Sequence, residues 1–295
     1  MRFDELPPQV IQAIFLWIGL DAVHYSAVCK QVYACLSDPY FALLSMRHSI
    51  PSSRPSKTSD GPSDALLLED SDRHWFTWPN HFQQAYAQQK LSMRRQLFWQ
   101  NRNLNGAIPG QSLSHLSSTL TQLLLHDNNL EGVIPTEIGL LVQLTDLSLS
   151  NNSIHGPIPV SLACCTRLQH LALDRNLISG EIPAKVLQGL QQLRYLSLSE
   201  NQLSGAIPPE IGHLADLYCL LLDHNFLSGP IPRQVGKLER LQYLDLTSNY
   251  LTDTVPREIA RLENLAMLML GDNLICGPLP LELIDLSHRL VHFTL

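Results

Sequence analysis

Seven asparagines, Asn128, Asn152, Asn176, Asn201, Asn225, Asn249 and Asn273, follow one another in steps of 24, 24, 25, 24, 24 and 24 residues. Each holds the same place in a recurring phrase, of which Leu144-Thr-Asp-Leu147-Ser-Leu149-Ser-Asn-Asn152-Ser-Ile154-His-Gly156-Pro-Ile158-Pro159 is one copy. A fixed period of this size belongs to one supersecondary unit stacked many times, each copy burying its apolar face only against its neighbours. The chain is thereby confined to an elongated array, and an extended recognition surface is the default product of such an array.

The phrase also sets the local structure. In Leu147-Ser148-Leu149 the leucines alternate with a variable residue, the period-two signature of a short strand. Stacked copies then form a parallel sheet with its leucines in the core and residues such as Ser148 facing out. The asparagine follows where the chain must turn, and its amide can bond the turn and neighbouring backbone. A ladder of the seven amides would satisfy peptide groups that the turns leave unpaired. Gly156, Gly180, Gly205, Gly229 and Gly277 supply a permissive backbone position before Ile-Pro or its variant. One copy has Asp253 there instead, a residue that tolerates left-handed backbone better than most. The extra residue behind the single 25-residue step falls within Lys185–Leu193, where a convex loop can absorb it.

This phrase resembles the plant-type leucine-rich repeat, which carries Gly-x-Ile-Pro after the asparagine. Seven copies run from Leu120 to about Leu290, preceded by a degenerate one with Leu97, Trp99, Leu104, Gly106, Ile108 and Pro109 in frame but Arg102 in the asparagine slot. The resemblance implies an α/β solenoid: a right-handed leucine-rich repeat superhelix with a parallel concave sheet and short helices or turns on the convex side. Arg289-Leu290-Val-His-Phe293-Thr-Leu295 reads as the opening of a further copy. A bare hydrophobic strand edge is a liability, so the sequence suggests either shielding by a partner or a longer intact product.

The front of the chain differs in composition. Within residues 1–48, Val10, Ile14, Trp17 and Ile18 fall at helical spacing behind Pro7 and Pro8, which suit a helix start. On the residues alone this is a small helical module or a cap for the solenoid. Leu6-Pro7-Pro8, Ile14-Phe15 and Val28-Cys29-Lys30 resemble an F-box, which implies a small all-α F-box-like module that binds the Skp adaptor of cullin–RING ubiquitin ligases. The resemblance assigns Leu6, Pro7, Val10, Ile11, Ile14, Phe15 and Val28 to that adaptor. Residues 49–72 open with a Ser/Pro-rich stretch that cannot build a core and read as a linker. Trp75-Phe76-Thr-Trp78 and a helix through Phe82, Ala85, Tyr86, Gln89 and Met93 make residues 73–96 a cap over the first repeat, with the solenoid filling 97–295.

Composition narrows the function. Asp+Glu total 27 against 20 Lys+Arg, so a nucleic-acid partner gains no support. No apolar run reaches membrane-spanning length, and Met1-Arg2-Phe3-Asp4-Glu5 carries acids where a signal peptide would be apolar. Six cysteines show neither metal spacing nor the paired flanks of secreted repeat proteins. These features together point to the cytoplasm or nucleus. Nothing in the chain arranges a nucleophile with a base, cradles a phosphate or groups metal ligands, so an enzyme, a cofactor and a metal are not expected. His126-Asp127 and Asp223-His224 read as solvated polarity, because four repeats separate the two histidines.

The four variable slots of the seven copies carry Asp127, Asp146, Asp174, Glu200, Asp223, Asp245 and Asp272 against one cation, Arg175. Among them lie His170, Tyr195, Leu221, His224, Tyr243, Met267 and Met269. The bias can reflect solubility alone. Alternatively, tyrosines and aliphatics inside an acidic surround form a docking surface for a target protein with a basic, partly apolar segment. Joined to the F-box resemblance, this implies a substrate-recognition subunit of a Skp–cullin–F-box ubiquitin ligase, acting by proximity. Without that resemblance, the repeats imply an intracellular scaffold or interaction module, and plant-type relatives also include extracellular recognition proteins.

Overall fold

A computed structural model describes residues 72, 75–78, 80–283 and 290–294. The adaptor residues Leu6, Pro7, Val10, Ile11, Ile14, Phe15 and Val28, with the rest of the 1–48 module and residues 49–71, lie outside the described residues.

Strands Gln96–Phe98, Gln122–Leu124, Asp146–Ser148, His170–Ala172, Tyr195–Ser197, Cys219–Leu221, Tyr243–Asp245, Met267–Met269 and His292–Thr294 pair in chain order as one nine-stranded parallel sheet. The register puts like slots side by side: Leu123 opposite Leu147, Leu147 opposite Leu171, Leu220 opposite Leu244 and Leu268 opposite Phe293. The leucine side chains point into the core, where Leu123, Leu147, Leu171, Leu220, Leu244 and Leu268 are all buried, while Phe293 on the last strand is exposed. A rung such as Leu144, Leu147, Leu149, Ile154, Ile158 and Leu162 buries six aliphatic side chains. Each contributes about 1.5–3 kcal/mol of transfer free energy before entropy is charged against it.

Beyond the asparagine the chain forms a second sheet. His155–Gly156, Leu177–Glu181, Gln202–Gly205, Phe226–Pro230 and Tyr250–Thr252 pair in parallel, while Asn105–Ala107 pairs with Asn129–Glu131. The repeated glycine lies in this region at positive φ, +83° at Gly180 for example, and Asp253 adopts φ 62° in the same slot. The substitution of Asp for Gly is therefore accommodated as the sequence suggests.

The convex side carries short 3-10 helices: Gly110–Leu116, Thr136–Leu140, Val160–Cys164, Pro209–His213, Arg233–Lys237 and Arg257–Arg261. Ala184–Gly189 is an α-helix instead. There Leu190 N–H reaches the Val186 carbonyl four residues back, whereas Leu214 N–H reaches Ile211 three back. The extra residue of the long copy is thus taken up by widening one helical turn. Stacked helices approach closely at Gly236, where an added Cβ would stand 2.3 Å from the Glu258 carbonyl oxygen.

At the front, Trp75, Phe76, Trp78, Phe82, Tyr86 and Leu91 are buried together with Trp99 of the first strand region. The Trp75 and Trp99 rings meet edge-on at 5.9 Å, and Trp75 Nε1 donates to the Gln83 carbonyl at 3.0 Å. Helix Asn80–Tyr86 runs into a π-turn, Ala87–Leu91. The wider turn shifts the helical phase. Leu91 becomes the buried residue, and Met93, expected among the packed positions, is 86% exposed.

The asparagines join each rung to the one before it. Asn201 Oδ1 accepts the Ile178 N–H at 3.0 Å, and its Nδ2 donates to the carbonyls of Leu173, Leu198 and Ser199 at 3.0–3.1 Å. Asn152, Asn176, Asn225, Asn249 and Asn273 repeat this pattern one rung at a time. Asn128 accepts from both Arg102 N–H and Leu104 N–H at 3.0 Å. In each of these amides both the oxygen and the nitrogen are engaged internally.

Candidate functional site

The outward slots of the nine-stranded sheet form columns across the rungs, and their composition changes along the solenoid. In the first half the first of these columns is polar and self-engaged, while the next runs Phe98, Leu124, Ser148 and Ala172. Gln96 Nε2 donates to Gln122 Oε1 at 2.7 Å, Gln122 Nε2 to Asp146 Oδ2 at 2.9 Å, and His170 Nδ1 lies 2.6 Å from Asp146 Oδ1. Thr145 Oγ1 adds a bond to Asp146 Oδ2 at 2.6 Å. Burial opposes ionisation of Asp146, yet the bonds from Thr145, Gln122 and His170 outweigh it and hold its carboxyl below the ordinary range. His170 is therefore occupied by this chain's own carboxylate.

The second half is different. The register aligns Tyr195, Cys219, Tyr243 and Met267 in one column, and Ser197, Leu221, Asp245 and Met269 in the next. Tyr243 is exposed, while Tyr195, Leu221, Met267 and Met269 are partly exposed. Cys219 is buried and recessed between the two tyrosines. Tyr218 precedes the strand and packs its ring 6.3 Å from that of Tyr195 at 48°. Burial, followed by the nearby Asp245 carboxylate, pushes the Cys219 thiol up to about 11.

Acids gather toward the strand ends. Ser199 Oγ donates to Asp223 Oδ1, and the Thr247 N–H donates to Asp245 Oδ1 at 2.9 Å. Burial raises the Asp223 carboxyl; the Ser199 bond works against that, and Asp245 adds to it. Arg175 Nε donates to Glu200 Oε1 at 2.9 Å, so the cation expected to face a target is already paired. Arg175 and His224 share a further property that the sequence reading missed. The residue before each ladder asparagine is left-handed, with φ 54° at Arg175, 52° at Glu200 and 52° at His224. Arg175 and His224 thus occupy conformationally demanding corners at the rim, whereas Tyr195, Leu221, Asp223, Tyr243, Asp245, Met267 and Met269 share one continuous face. Cys219 and Tyr218 belong to that face and carried no signal in the sequence beyond their frame.

Among the described residues no three His, Cys, Asp or Glu side chains come together as metal ligands. No helix among them is long and apolar enough to cross a membrane.

The leucine rich repeat family model matches residues 118–178, 166–227 and 217–275. No F-box domain is found. No curated protein matches the chain. Among solved structures, the chain is similar to the plant peptide hormone receptor RGFR1 in complex with RGF2, at 37% identity and a TM-score of 0.63, over 66% of this chain and 31% of that one. It is also similar to the ectodomain of the Arabidopsis receptor kinase HAESA in complex with an N-terminally extended IDA peptide hormone. That match has 35% identity and a TM-score of 0.60, over 66% of this chain and 32% of that one. A plant ice-binding protein matches at 28% identity and a TM-score of 0.52, over 69% of this chain and 70% of that one. The chain spans about a third of the two receptor chains. These matches overturn the expectation of a cytoplasmic or nuclear protein, since the aligned structures include receptor ectodomains.

Proposed function

This chain belongs to the leucine-rich repeat family, and from that premise we propose that its concave sheet captures an extended peptide segment of another protein. The observation that carries the reading is the division of the sheet. In one half the leading column satisfies itself through Gln122, Asp146 and His170, while the same column of the other presents Tyr195, Tyr243 and Met267, with Met269, Asp223 and Asp245 beside it. Exposed aromatic and thioether side chains in a charged surround supply most of the binding energy at protein interfaces. A rigid sheet also holds them in place before the ligand arrives, which lowers the cost of ordering. The solved receptors that the chain resembles are in complex with peptide hormones, which favours a peptide over a folded partner. The same likeness favours an extracellular setting.

No bond is made or broken in this mechanism. The apolar column removes a ligand side chain from water, and the acids select its charge. The narrower ubiquitin-ligase role lacks support: its adaptor residues lie outside the described structure and no F-box domain is found. What remains of it is the capture of a protein segment.

A display library of random peptides selected on the full chain tests the proposal. Selected peptides should lose about tenfold or more in affinity when Tyr243→Ala is combined with Met267→Ser, because truncating a hot-spot residue costs about 2 kcal/mol. Binding that survives those changes but is lost with Phe226→Ser and Tyr250→Ser, on the second sheet, would place the site elsewhere.

A further inference from the structure

The tyrosine notch and the acids beside it have a spacing that selects one backbone conformation. Tyr195, Cys219 and Tyr243 are consecutive register partners, so the tyrosines stand two rungs apart with a buried, small side chain between them. Two rungs of a parallel sheet measure about 9.6 Å. A polyproline II helix has three residues per turn and advances about 9.3 Å in that turn. A β-strand returns to the same face every ~6.7 Å and loses step with the rungs after one contact. Only the first brings residues i and i+3 of a ligand onto Tyr195 and Tyr243 in succession.

The backbone of the sheet supports the same choice. Strand Cys219–Leu221 is paired on both sides, with Tyr195–Ser197 and with Tyr243–Asp245. It has no free edge to which a ligand could add as a strand, so a ligand whose backbone must be bonded would bury unpaired N–H groups. Polyproline II carries no internal hydrogen bonds, and proline has no N–H to leave unpaired. Aromatic grooves receive such segments by ring-to-ring contact.

Charge supplies the last element. Asp223 and Asp245 lie on adjacent rungs beside the notch, and each has one carboxylate oxygen engaged by this chain. Arg175 is tied to Glu200, and Arg194 precedes its strand while the acids stand toward the strand ends. A cationic side chain would relieve the crowding of the two carboxylates.

We infer that the captured segment is a basic, proline-rich stretch in polyproline II conformation, its prolines seated on Tyr195 and Tyr243 across Cys219 and its cation between Asp223 and Asp245. This rests on peptide capture by the concave face. The full chain is titrated by fluorescence anisotropy with labelled peptides of about four Arg-Pro-Pro repeats, with the same peptide bearing Gly for Pro, and with Glu for Arg. The Arg-Pro-Pro peptide should bind about tenfold or more tightly than either control. Tyr195→Ala and Tyr243→Ala should each weaken it by a similar factor, while Tyr243→Phe keeps affinity within about twofold. Circular dichroism confirms that each variant is folded. If the Gly peptide binds as well as the Pro peptide, or the tyrosine variants bind unchanged, the inference is overturned and capture by the concave face still stands. The same holds if no member of the set binds while a display-selected peptide does. Failure of selected peptides as well would remove the capture reading itself.

Discussion

Asn201→Ala isolates what one rung of the ladder contributes. The side chain is 7% exposed and makes four bonds. Three of the four groups it serves have a second partner. The Leu173 carbonyl keeps the Asn176 amide at 3.1 Å, the Leu198 carbonyl keeps the Asn225 amide at 3.0 Å, and the Ser199 carbonyl keeps the Arg175 N–H at 3.0 Å. Only the Ile178 N–H loses its acceptor. An orphaned buried N–H and the small void beside it together cost about 2–3 kcal/mol. Equilibrium urea unfolding should show this as a lower midpoint, with the transition broadening if rungs before and after the lesion part company. Asn201→Asp is the sharper control. It restores the acceptor for Ile178 but turns a carboxylate oxygen toward three carbonyls, so at neutral pH it should be less stable than Asn201→Ala. The folded state would then favour the protonated acid, whose pKa is raised, and the variant should gain stability as pH falls through that value. A loss under a few tenths of a kcal/mol for the alanine variant would refute the reasoning, as would an aspartate variant matching the parent at neutral pH.

Three other outcomes follow from the geometry. Gly236→Ala must push the stacked convex helices apart at the Glu258 carbonyl and should cost about 1–3 kcal/mol in the same assay; an unchanged midpoint would show that the helices slide freely. Asp146, whose folded pKa is depressed, contributes stability that is complete above the unfolded value and disappears as pH falls through the folded one. Asp146→Asn should therefore flatten the acid side of the stability curve below about pH 4, and an unaltered acid limb would sink that account. Cys165 and Cys219, with thiols pushed up to about 12 and about 11 by burial, should alkylate far more slowly at neutral pH than exposed Cys164 and Cys276. Peptide mass spectrometry over a time course reads this, and equal labelling of Cys219 and Cys276 would contradict the recessed notch.

The frame of Asn128 to Asn273 made the rungs legible because one amide must meet fixed backbone groups at every turn. Leu147 and Leu149 were legible for the same reason: their spacing has only one extended interpretation. The second sheet was not. Leu177-Ile178-Ser179-Gly180 has no strand composition of its own, and its pairing depends on neighbours 22 or 23 residues away. Nor could the left-handed corner before each asparagine be read from residues as unlike as Arg175, Glu200, His224 and Ser248. Tertiary stacking imposes that conformation against their preference. On the outward face of the sheet, frame counting put Tyr195, Tyr243 and the acids in like slots. It could not tell which polar groups were already engaged, since the Gln122–Asp146–His170 chain and the Arg175–Glu200 pair exist only after stacking.

The direction in which the asparagines reach has one more consequence. Each completes the backbone of the copy before its own, as Asn152 does for Leu130 and Asn128 for Leu104. The opening copy follows a helical cap, so no preceding turn waits for its side chain, and Arg102 can stand there harmlessly. An arginine at any later station would instead strand its predecessor. The array thus has a grammatical order, tolerant of a misspelt first word and of none inside the sentence.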